Sequence, residues 1–292
     1  MKIALSPRSL TPYPAITTAQ IGRLAIRSLY REVALSPKPG LVSPDSQGSH
    51  ADMDYTTFLR SLHALRPYFP AITQCGLSRP GLLPLQMLGI GAEAEMLAAT
   101  NGVNTHRGAI FNLGLLCAAA GLLIADGELP NAQAACDAVK MIWGPEILEG
   151  LVTQSAAVAQ SHGLIVARRY GSGGARQEAA AGFPAAMEVG LPAYRHALAA
   201  SGDSELAAVQ TLFALMAELD DTNLLWRGGR QGLAYGRRAA AGFLASGGVF
   251  AEDWREHAEA IDLDFVAHRL SPGGSADLLG VTLFLAELDG LT

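Results

Sequence analysis

Hydrophobic residues recur at helical spacing along most of the chain, and no stretch keeps the two-residue alternation of a β-strand. One helical face is apolar between Ile21 and Val33, and Thr17 with Gln20 three residues later forms the capping box that begins a helix. Further helices are predicted near residues 130–143, 145–161, 175–188, 203–219, 229–246, 251–268 and 274–289. The pattern therefore predicts an all-α fold.

The most apolar stretch of the chain, residues 109–125, contains a single strongly polar side chain, Asn112, and is rich in Ala and Gly. Its length is close to the lower limit for a membrane span. Arg107 and Asp126 bracket it, however, and small residues favour close packing, so we expect a buried central helix. The protein should be a single compact multi-helix domain built around this helix.

The composition supports a folded body. Of the 292 residues, 50% are hydrophobic and 16% are charged, which excludes intrinsic disorder. Residues 1–16, rich in Pro and Ser, read as an N-terminal arm, and residues 17–292 as the domain. The apolar excess also fits a homo-oligomer interface.

The net charge of −6 argues against a nucleic-acid-binding protein, which needs a positive field to neutralise phosphates. The three cysteines form no close pair, so neither a disulfide framework nor a zinc site is indicated. The N-terminus lacks the pattern of a secretory signal, so we expect a cytoplasmic protein that does not act in a membrane.

The familiar catalytic motifs are missing from the sequence. It contains no Walker P-loop and no Rossmann fingerprint after a strand, so nucleotide binding would require another architecture. It also contains neither a G-x-S-x-G elbow nor an H-E-x-x-H zinc motif.

Polar residues instead gather where the helical pattern breaks. Prolines force a rigid loop at residues 36–40. The segment after it holds Asp45, His50, Asp52 and Asp54, a density of carboxylates that fits Mg²⁺ coordination. Acids before a helix also act as ordinary caps, and both interpretations of these residues remain open.

Three later breaks also carry chemistry. Residues 168–176 combine arginines with glycines before a helix start, which suits phosphate oxygens. Residues 220–223 place two acids at a helix C-terminus, where a bound cation would offset their conflict with the helix dipole. Residues 271–277 open the last helix either as a loop with a cap or as a ligand site.

The turn at residues 102–108 presents Asn104, Thr105, His106 and Arg107 between two glycines at the start of the central helix. The turn offers polar groups and the apolar helix anchors them. We interpret this turn as the floor of an active site, with Asn104, His106 and Arg107 in one substrate-binding unit.

Three segments, E-V-A-L-S-P-K-P-G-L-V at residues 32–42, H-A-D-M-D at residues 50–54 and G-V-N-T-H-R-G-A-I-F at residues 102–111, resemble the triphosphoribosyl-dephospho-CoA synthases. The resemblance extends to D-T-N at residues 221–223 and P-G-G-S-A-D at residues 272–277. It spans roughly residues 20–290. The length is most similar to the malonate decarboxylase-associated member, rather than to the one that serves citrate lyase.

The resemblance implies transfer of the 5-triphosphoribosyl unit of ATP to the 2′-hydroxyl of 3′-dephospho-CoA, with adenine as leaving group. It also implies inversion at the anomeric carbon. We expect Mg²⁺ as cofactor, because the triphosphate must be neutralised but left uncleaved. The product would pass to a phosphoribosyl-dephospho-CoA transferase and an acyl carrier protein.

Such a reaction needs a base for the incoming hydroxyl, a proton donor for the departing base and cations for the triphosphate. We assign catalysis to Glu32, Asp54 and His106, with Glu32 or Asp54 as the base. Metal binding is assigned to Asp52, Asp54, Asp221 and Asp277. Substrate binding is assigned to Lys38, Gly40, Asn104, Thr105, Arg107, Arg169, Arg176, Asn223, Gly273 and Gly274.

Two rival functions remain compatible with the residues. A magnesium-dependent ADP-ribosyl or nucleoside hydrolase would use paired acids in the same anomeric chemistry, with water as acceptor. A non-catalytic helical module that docks a carrier protein would release no adenine.

Overall fold

The computed structural model describes residues 16–154 and 162–291, and regular structure in these ranges is entirely helical, which confirms the predicted all-α class. The predicted N-terminal arm lies almost wholly outside the described residues, as does the end of the helix predicted at 145–161. The helices are α1 (Thr18–Ala34), α2 (Tyr55–Leu65), α3 (Tyr68–Gly76), α4 (Leu82–Ala99), α5 (Arg107–Ala125), α6 (Ala132–Ala138), α7 (Gly144–Gln154), α8 (His162–Tyr170), α9 (Gly174–Ala180), α10 (Leu191–Ser201), α11 (Ser204–Glu218), α12 (Thr222–Ala245), α13 (Trp254–Ala267) and α14 (Gly273–Leu288).

Helix α5 is the buried central helix that the sequence predicts. Almost every residue from Ala109 to Leu123 is buried, and α3 crosses it at very short range. A Cβ atom at Gly76 would come within 2.1 Å of the Ala118 carbonyl oxygen, and one at Gly121 within 2.0 Å of the Thr73 carbonyl oxygen. The glycines therefore let the two backbones touch.

Helix α14 is a second buried helix, which packs against α1, α5 and α11. Its residues from Ser275 to Glu287 are nearly all buried. The core thus has two apolar helices at its centre, and the N-termini of both open toward the same cavity, described below.

Several helix boundaries differ from the predicted ones. The helix predicted at 175–188 stops at Ala180, because Gly182 and Phe183 adopt positive φ angles of 84° and 58°. A π-helical segment, Ala185–Gly190, then leads into α10, which the pattern did not predict. Helix α12 begins at residue 222 rather than 229 and is kinked at Gly229, whose φ is 61°.

The linker between α1 and α2, residues 35–54, has no regular structure, yet most of its first half, residues 35–43, is buried. It contains a cis peptide bond between Ser36 and Pro37. Gly40, at φ 65°, donates its N–H to Asp262 Oδ1 at 2.7 Å, and Ser49 Oγ donates to the Leu270 carbonyl oxygen at 2.5 Å. These contacts fix the linker against the residues that precede α14.

Two described helices, Leu82–Ala99 and Arg107–Ala125, are long and apolar enough to cross a membrane. The second forms the core, as argued above. The first also turns apolar side chains outward, since Leu83, Met87 and Ile90 are each more than 60% exposed. They lie on one face of α4 at helical spacing.

Candidate functional site

A cavity of about 760 Å³ opens between α1, the linker that follows it, α4 and the N-termini of α5 and α14. Ten of the residues predicted for the site contribute to its wall: Glu32, Lys38, Asn104, Thr105, His106, Arg107, Arg176, Asn223, Gly273 and Asp277. The polar segments between the predicted helices, which lie far apart in the sequence, therefore meet at this cavity.

An ion pair between Glu32 and Lys38 forms one buried wall of the cavity. Lys38 Nζ donates to Glu32 Oε1 at 2.8 Å and to the Glu32 main-chain carbonyl oxygen at 2.7 Å. Both side chains are more than 90% buried. The prolines around Lys38 and the end of α1 hold the two partners in place, so the pair is a rigid part of the site.

His106 lies beside this pair and is almost completely buried. Its Nδ1 lies 2.6 Å from Ser61 Oγ, and its ring meets Phe58 edge-on. Burial, with a smaller contribution from the Lys38 charge, lowers the pKa of His106 to about 3. The imidazole is therefore neutral at pH 7, and its Nε2 has no partner among the described residues.

A second imidazole in the wall, His50, is held from both sides. Arg227 Nη2 lies 3.2 Å from His50 Nδ1, and Ser271 Oγ lies 3.0 Å from His50 Nε2. Since arginine can only donate, His50 Nδ1 is the acceptor and Nε2 carries the proton. Burial and the Arg227 charge lower the pKa of His50 to about 4.

The predicted turn at residues 102–108 sits at the mouth of the cavity. Asn104 Oδ1 accepts from the Arg107 N–H at 3.1 Å, which satisfies one free donor at the start of α5. Arg107 Nε donates to Glu93 Oε1 at 2.7 Å. The Thr105 hydroxyl points to Met96 Sδ at 3.2 Å, so Thr105 positions the turn against α4.

Asp277, in the first turns of α14, lies against the N-terminus of α5. A Cβ atom at Gly108 would come within 2.0 Å of Asp277 Oδ2, so any side chain there would have to displace the Asp277 carboxyl group. Burial, then the charges of Glu32 and Asp221, raise the pKa of Asp277 to about 8. No described residue forms a hydrogen bond or ion pair with its carboxyl group.

Asp221 is close by but fully occupied. Its Oδ1 accepts from the N–H groups of Asn223 and Leu224, and its Oδ2 accepts from the N–H and hydroxyl of Ser275. Burial raises the pKa of Asp221 and these hydrogen bonds oppose the shift. The carboxylate therefore joins the N-termini of α12 and α14.

The other two aspartates predicted for metal stand apart from the cavity wall. Asp54 caps α2 by accepting from the Thr57 N–H and hydroxyl, both at 2.7 Å, which lowers its pKa. Asp52 is exposed. Within residues 16–154 and 162–291, no three His, Cys, Asp or Glu side chains are grouped to hold a metal ion. The four aspartates therefore do not converge on one point, and the assignment of Mg²⁺ to some of them stays a prediction.

Three residues predicted to bind substrate also lie outside the wall of this cavity. Gly40 holds the linker as described above. Arg169 stacks over the Tyr170 ring, with 5.3 Å from its guanidinium carbon to the ring centroid. Gly274 lies between Asp221 and a second cavity.

That second cavity, of about 500 Å³, adjoins the first. The two share Asn223, Asp277 and the loop at residues 173–175. Asn112 of α5 also lines the second cavity. Asp277 therefore stands at the junction of two spaces.

Sequence reasoning missed three wall residues: His50, Glu93 and Arg227. His50 was noted in the acidic segment but not selected. Arg227 precedes Gly228 and Gly229, and a Gly-Gly pair inside a helical pattern signals a break that could have drawn attention to it. Glu93 lies inside α4 with no local signal.

Comparisons with known proteins agree with this geometry. Residues 18–292 match the family model described as ATP:dephospho-CoA triphosphoribosyl transferase. A probable 2-(5''-triphosphoribosyl)-3'-dephosphocoenzyme-A synthase of Acinetobacter calcoaceticus is 43% identical over 266 residues, covering 91% of this chain and 90% of the relative. The 2-(5''-triphosphoribosyl)-3'-dephosphocoenzyme-A synthase of Klebsiella pneumoniae is 38% identical over 290 residues, covering 97% and 96%.

No solved structure matches the chain. The family model and these relatives cover nearly all of it, including every segment that builds the two cavities. The chain therefore belongs to the ATP:dephospho-CoA triphosphoribosyl transferase family.

Proposed function

We propose that the protein transfers the 5-triphosphoribosyl group of ATP to the 2′-hydroxyl of 3′-dephospho-CoA and releases adenine. The observation that carries the proposal is the larger cavity, which brings Asp277 to the same wall as Glu32 and four basic side chains. Among the described residues, none forms a hydrogen bond with the Asp277 carboxyl group. The family membership and the two relatives support the same activity.

The reaction breaks the bond between C1′ of the ATP ribose and N9 of adenine, and it forms a bond between C1′ and the 2′-oxygen of dephospho-CoA. The proton of that hydroxyl is lost to a base, and the departing adenine gains one, so the protons balance. Bond breaking at an anomeric carbon builds positive charge on the sugar, which nearby carboxylates stabilise.

We assign the base role to Glu32, because it lines the cavity whereas Asp54 is engaged as a helix cap. Lys38 holds the Glu32 carboxylate in a fixed orientation. Asp277 is the proton donor to adenine, since it stands at the junction of the cavities and no described residue forms a hydrogen bond with its carboxyl group. Its raised pKa keeps it protonated at neutral pH.

The cations of the wall suit the phosphates of both substrates. Arg107 and Arg227 offer planar donor groups to phosphate oxygens, and neutral His106 offers its free Nε2. The described residues do not form a metal site of their own, and no step here depends on one. We propose that Mg²⁺ arrives as the complex with ATP, whose phosphates supply ligands.

We further propose that the protein acts in the cytoplasm and that its product is the prosthetic-group precursor of malonate decarboxylase. Citrate lyase is the alternative destination, and the test is which acyl carrier protein accepts the group. Each purified carrier is incubated with the product and the matching phosphoribosyl-dephospho-CoA transferase, and modification is read by mass.

The activity test incubates the protein with ATP, 3′-dephospho-CoA and Mg²⁺ and identifies the products by mass. Free adenine together with a dephospho-CoA adduct that keeps three phosphates supports the proposal. Ribose triphosphate without adduct indicates a hydrolase, and no adenine release indicates a non-catalytic module. Either result contradicts the proposal, and NMR of the adduct tests the expected inversion at C1′.

A further inference from the structure

We propose that the second cavity binds the purine base of ATP and that Asn112 recognises this base through its side-chain amide. The inference rests on the proposed function, because it assigns a place to the leaving group of that reaction. It concerns binding alone and adds no chemical step.

Asn112 is a buried amide without a partner. It is 1% exposed, and its Oδ1 has no hydrogen-bond partner among the described residues. A buried polar atom without a hydrogen bond destabilises the folded protein, so such atoms are rare unless a ligand or water completes them. Asn112 lines the second cavity, and an occupant of that cavity is the available partner.

The position of Asn112 along α5 places it near the reaction centre. Gly108, which touches Asp277 Oδ2, precedes Asn112 by four residues. Residues four apart lie on the same face of a helix, about 6 Å apart along its axis. The amide therefore lies one helical turn deeper than the carboxyl group proposed to protonate the leaving group.

The charged residues in the walls of the two cavities differ, and the two cavities therefore suit different parts of ATP. The larger cavity has Lys38, Arg107, Arg176 and Arg227 in its wall, which suit a triphosphate. Among the described residues, the second cavity has no Lys, Arg or His in its wall. Its wall carries carboxylates and amide groups instead, so it disfavours phosphate and suits a neutral ring with hydrogen-bond donors.

Adenine matches this wall. Its 6-amino group is a donor and the adjacent ring nitrogen is an acceptor, which pair with the Oδ1 and Nδ2 of one asparagine. With the base in the second cavity and the triphosphate in the larger one, C1′ falls at the junction, next to Asp277. The asparagine pairs with the N6 and N7 edge of adenine; on the same edge hypoxanthine has an oxygen in place of the amino group, so it offers two acceptors and no donor to Oδ1.

The test compares wild-type protein with Asn112→Leu and the smaller Asn112→Ala, each checked for folding by thermal unfolding. Calorimetry measures binding of free adenine, hypoxanthine and tripolyphosphate. Wild type should prefer adenine to hypoxanthine, and both variants should bind adenine about ten- to a hundredfold more weakly. Tripolyphosphate binding should be unchanged in the variants, which controls for the larger cavity. Asn131→Ala, at an exposed cap remote from both cavities, should bind all three probes as wild type does.

Turnover separates this inference from the function. Suppose that wild type forms the adduct and turns over ATP faster than inosine triphosphate. If the Asn112 variants show the same preference for ATP, the inference is wrong and the proposed function stands. Adenine binding that tripolyphosphate displaces would also contradict it, since both would then share the larger cavity. If wild type forms no adduct, the proposed function fails. Weaker adenine binding in the Asn112 variants than in wild type would still place the purine base in the second cavity.

Discussion

The Asp277 carboxyl group lies directly against Gly108, where any side chain would overlap Oδ2. Alanine favours helix over glycine by about 1 kcal/mol, so Gly108→Ala should leave the protein nearly as stable as wild type. The added methyl group must displace Asp277, and we expect kcat/KM to fall at least about tenfold, roughly 1.4 kcal/mol of lost transition-state stabilisation.

Gly242→Ala is the matched control, because a Cβ atom at Gly242 in α12 meets open space. It should keep full activity. Steady-state kinetics and thermal unfolding of both variants check the prediction, and full activity in Gly108→Ala would show that the position of Asp277 does not matter.

The choice between Glu32 and Asp54 as base can be tested by removing each negative charge. Glu32→Gln should reduce kcat by roughly 10²-fold or more, the usual effect of losing a general base. Asp54→Asn should lower the melting temperature slightly and leave kcat close to wild type, because Asp54 caps α2 outside the cavity. The reverse pattern would move the base role to Asp54.

The buried ion pair of Glu32 and Lys38 predicts that removing one partner destabilises the protein more than removing both. Lys38→Met leaves Glu32 as a buried charge without its partner, which should cost about 3–5 kcal/mol in the free energy of unfolding. The double variant Lys38→Met/Glu32→Gln should recover most of this loss and stay inactive. Arg195→Met, which breaks the more exposed pair with Asp289, should cost less than about 1 kcal/mol. Urea unfolding measures all three.

Asp277 predicts a distinctive dependence of stability on pH. Its pKa is about 8 in the folded protein and near 4 in the unfolded chain. Between these values only the folded protein keeps the proton, so the contribution of Asp277 to stability is fully present below pH 4 and falls as pH rises to 8. Asp277→Asn should therefore gain stability relative to wild type from pH 4 to pH 8. A difference in the free energy of unfolding between wild type and Asp277→Asn that stays the same at all pH values would contradict the raised pKa.

Arg107 predicts a binding defect without a folding defect. Its side chain is about half exposed and pairs with Glu93 at the cavity mouth, so Arg107→Ala should unfold like wild type. We expect KM for ATP or dephospho-CoA to rise strongly, and Arg107→Lys to recover only part, since lysine lacks the planar fork. Arg23→Ala removes an exposed charge remote from the cavities and should leave the kinetics unchanged.

The features predicted correctly from the sequence are those set by neighbouring residues. The capping box of Thr17 and Gln20 forms as expected, because two residues three positions apart decide it. The burial of residues 109–123 follows from their lack of polar groups. The turn at residues 102–108 also forms where the sequence predicts it, at the start of the central helix, and its role in the site stays a prediction.

The errors come from partners far away in the sequence. The two acids at residues 220 and 221 suggest a cation at a helix C-terminus when read locally. Asp221 instead begins α12, and its Oδ2 accepts from Ser275, 54 residues later. Arg227 enters the wall through a kink at Gly229 and contacts with Ser49 and His50. No periodicity or spacing within one segment encodes such contacts.

The neutrality of His50 and His106 has a consequence for how the enzyme captures its substrates. Since neither imidazole gains charge above about pH 5, the positive field of the larger cavity comes from lysine and arginine alone. These groups keep their charge across the physiological range. Dissolved salt, which screens charges beyond about 8 Å at 0.15 M, then governs capture: association rates should fall with ionic strength, and neither histidine should add a dependence on acidity above about pH 5.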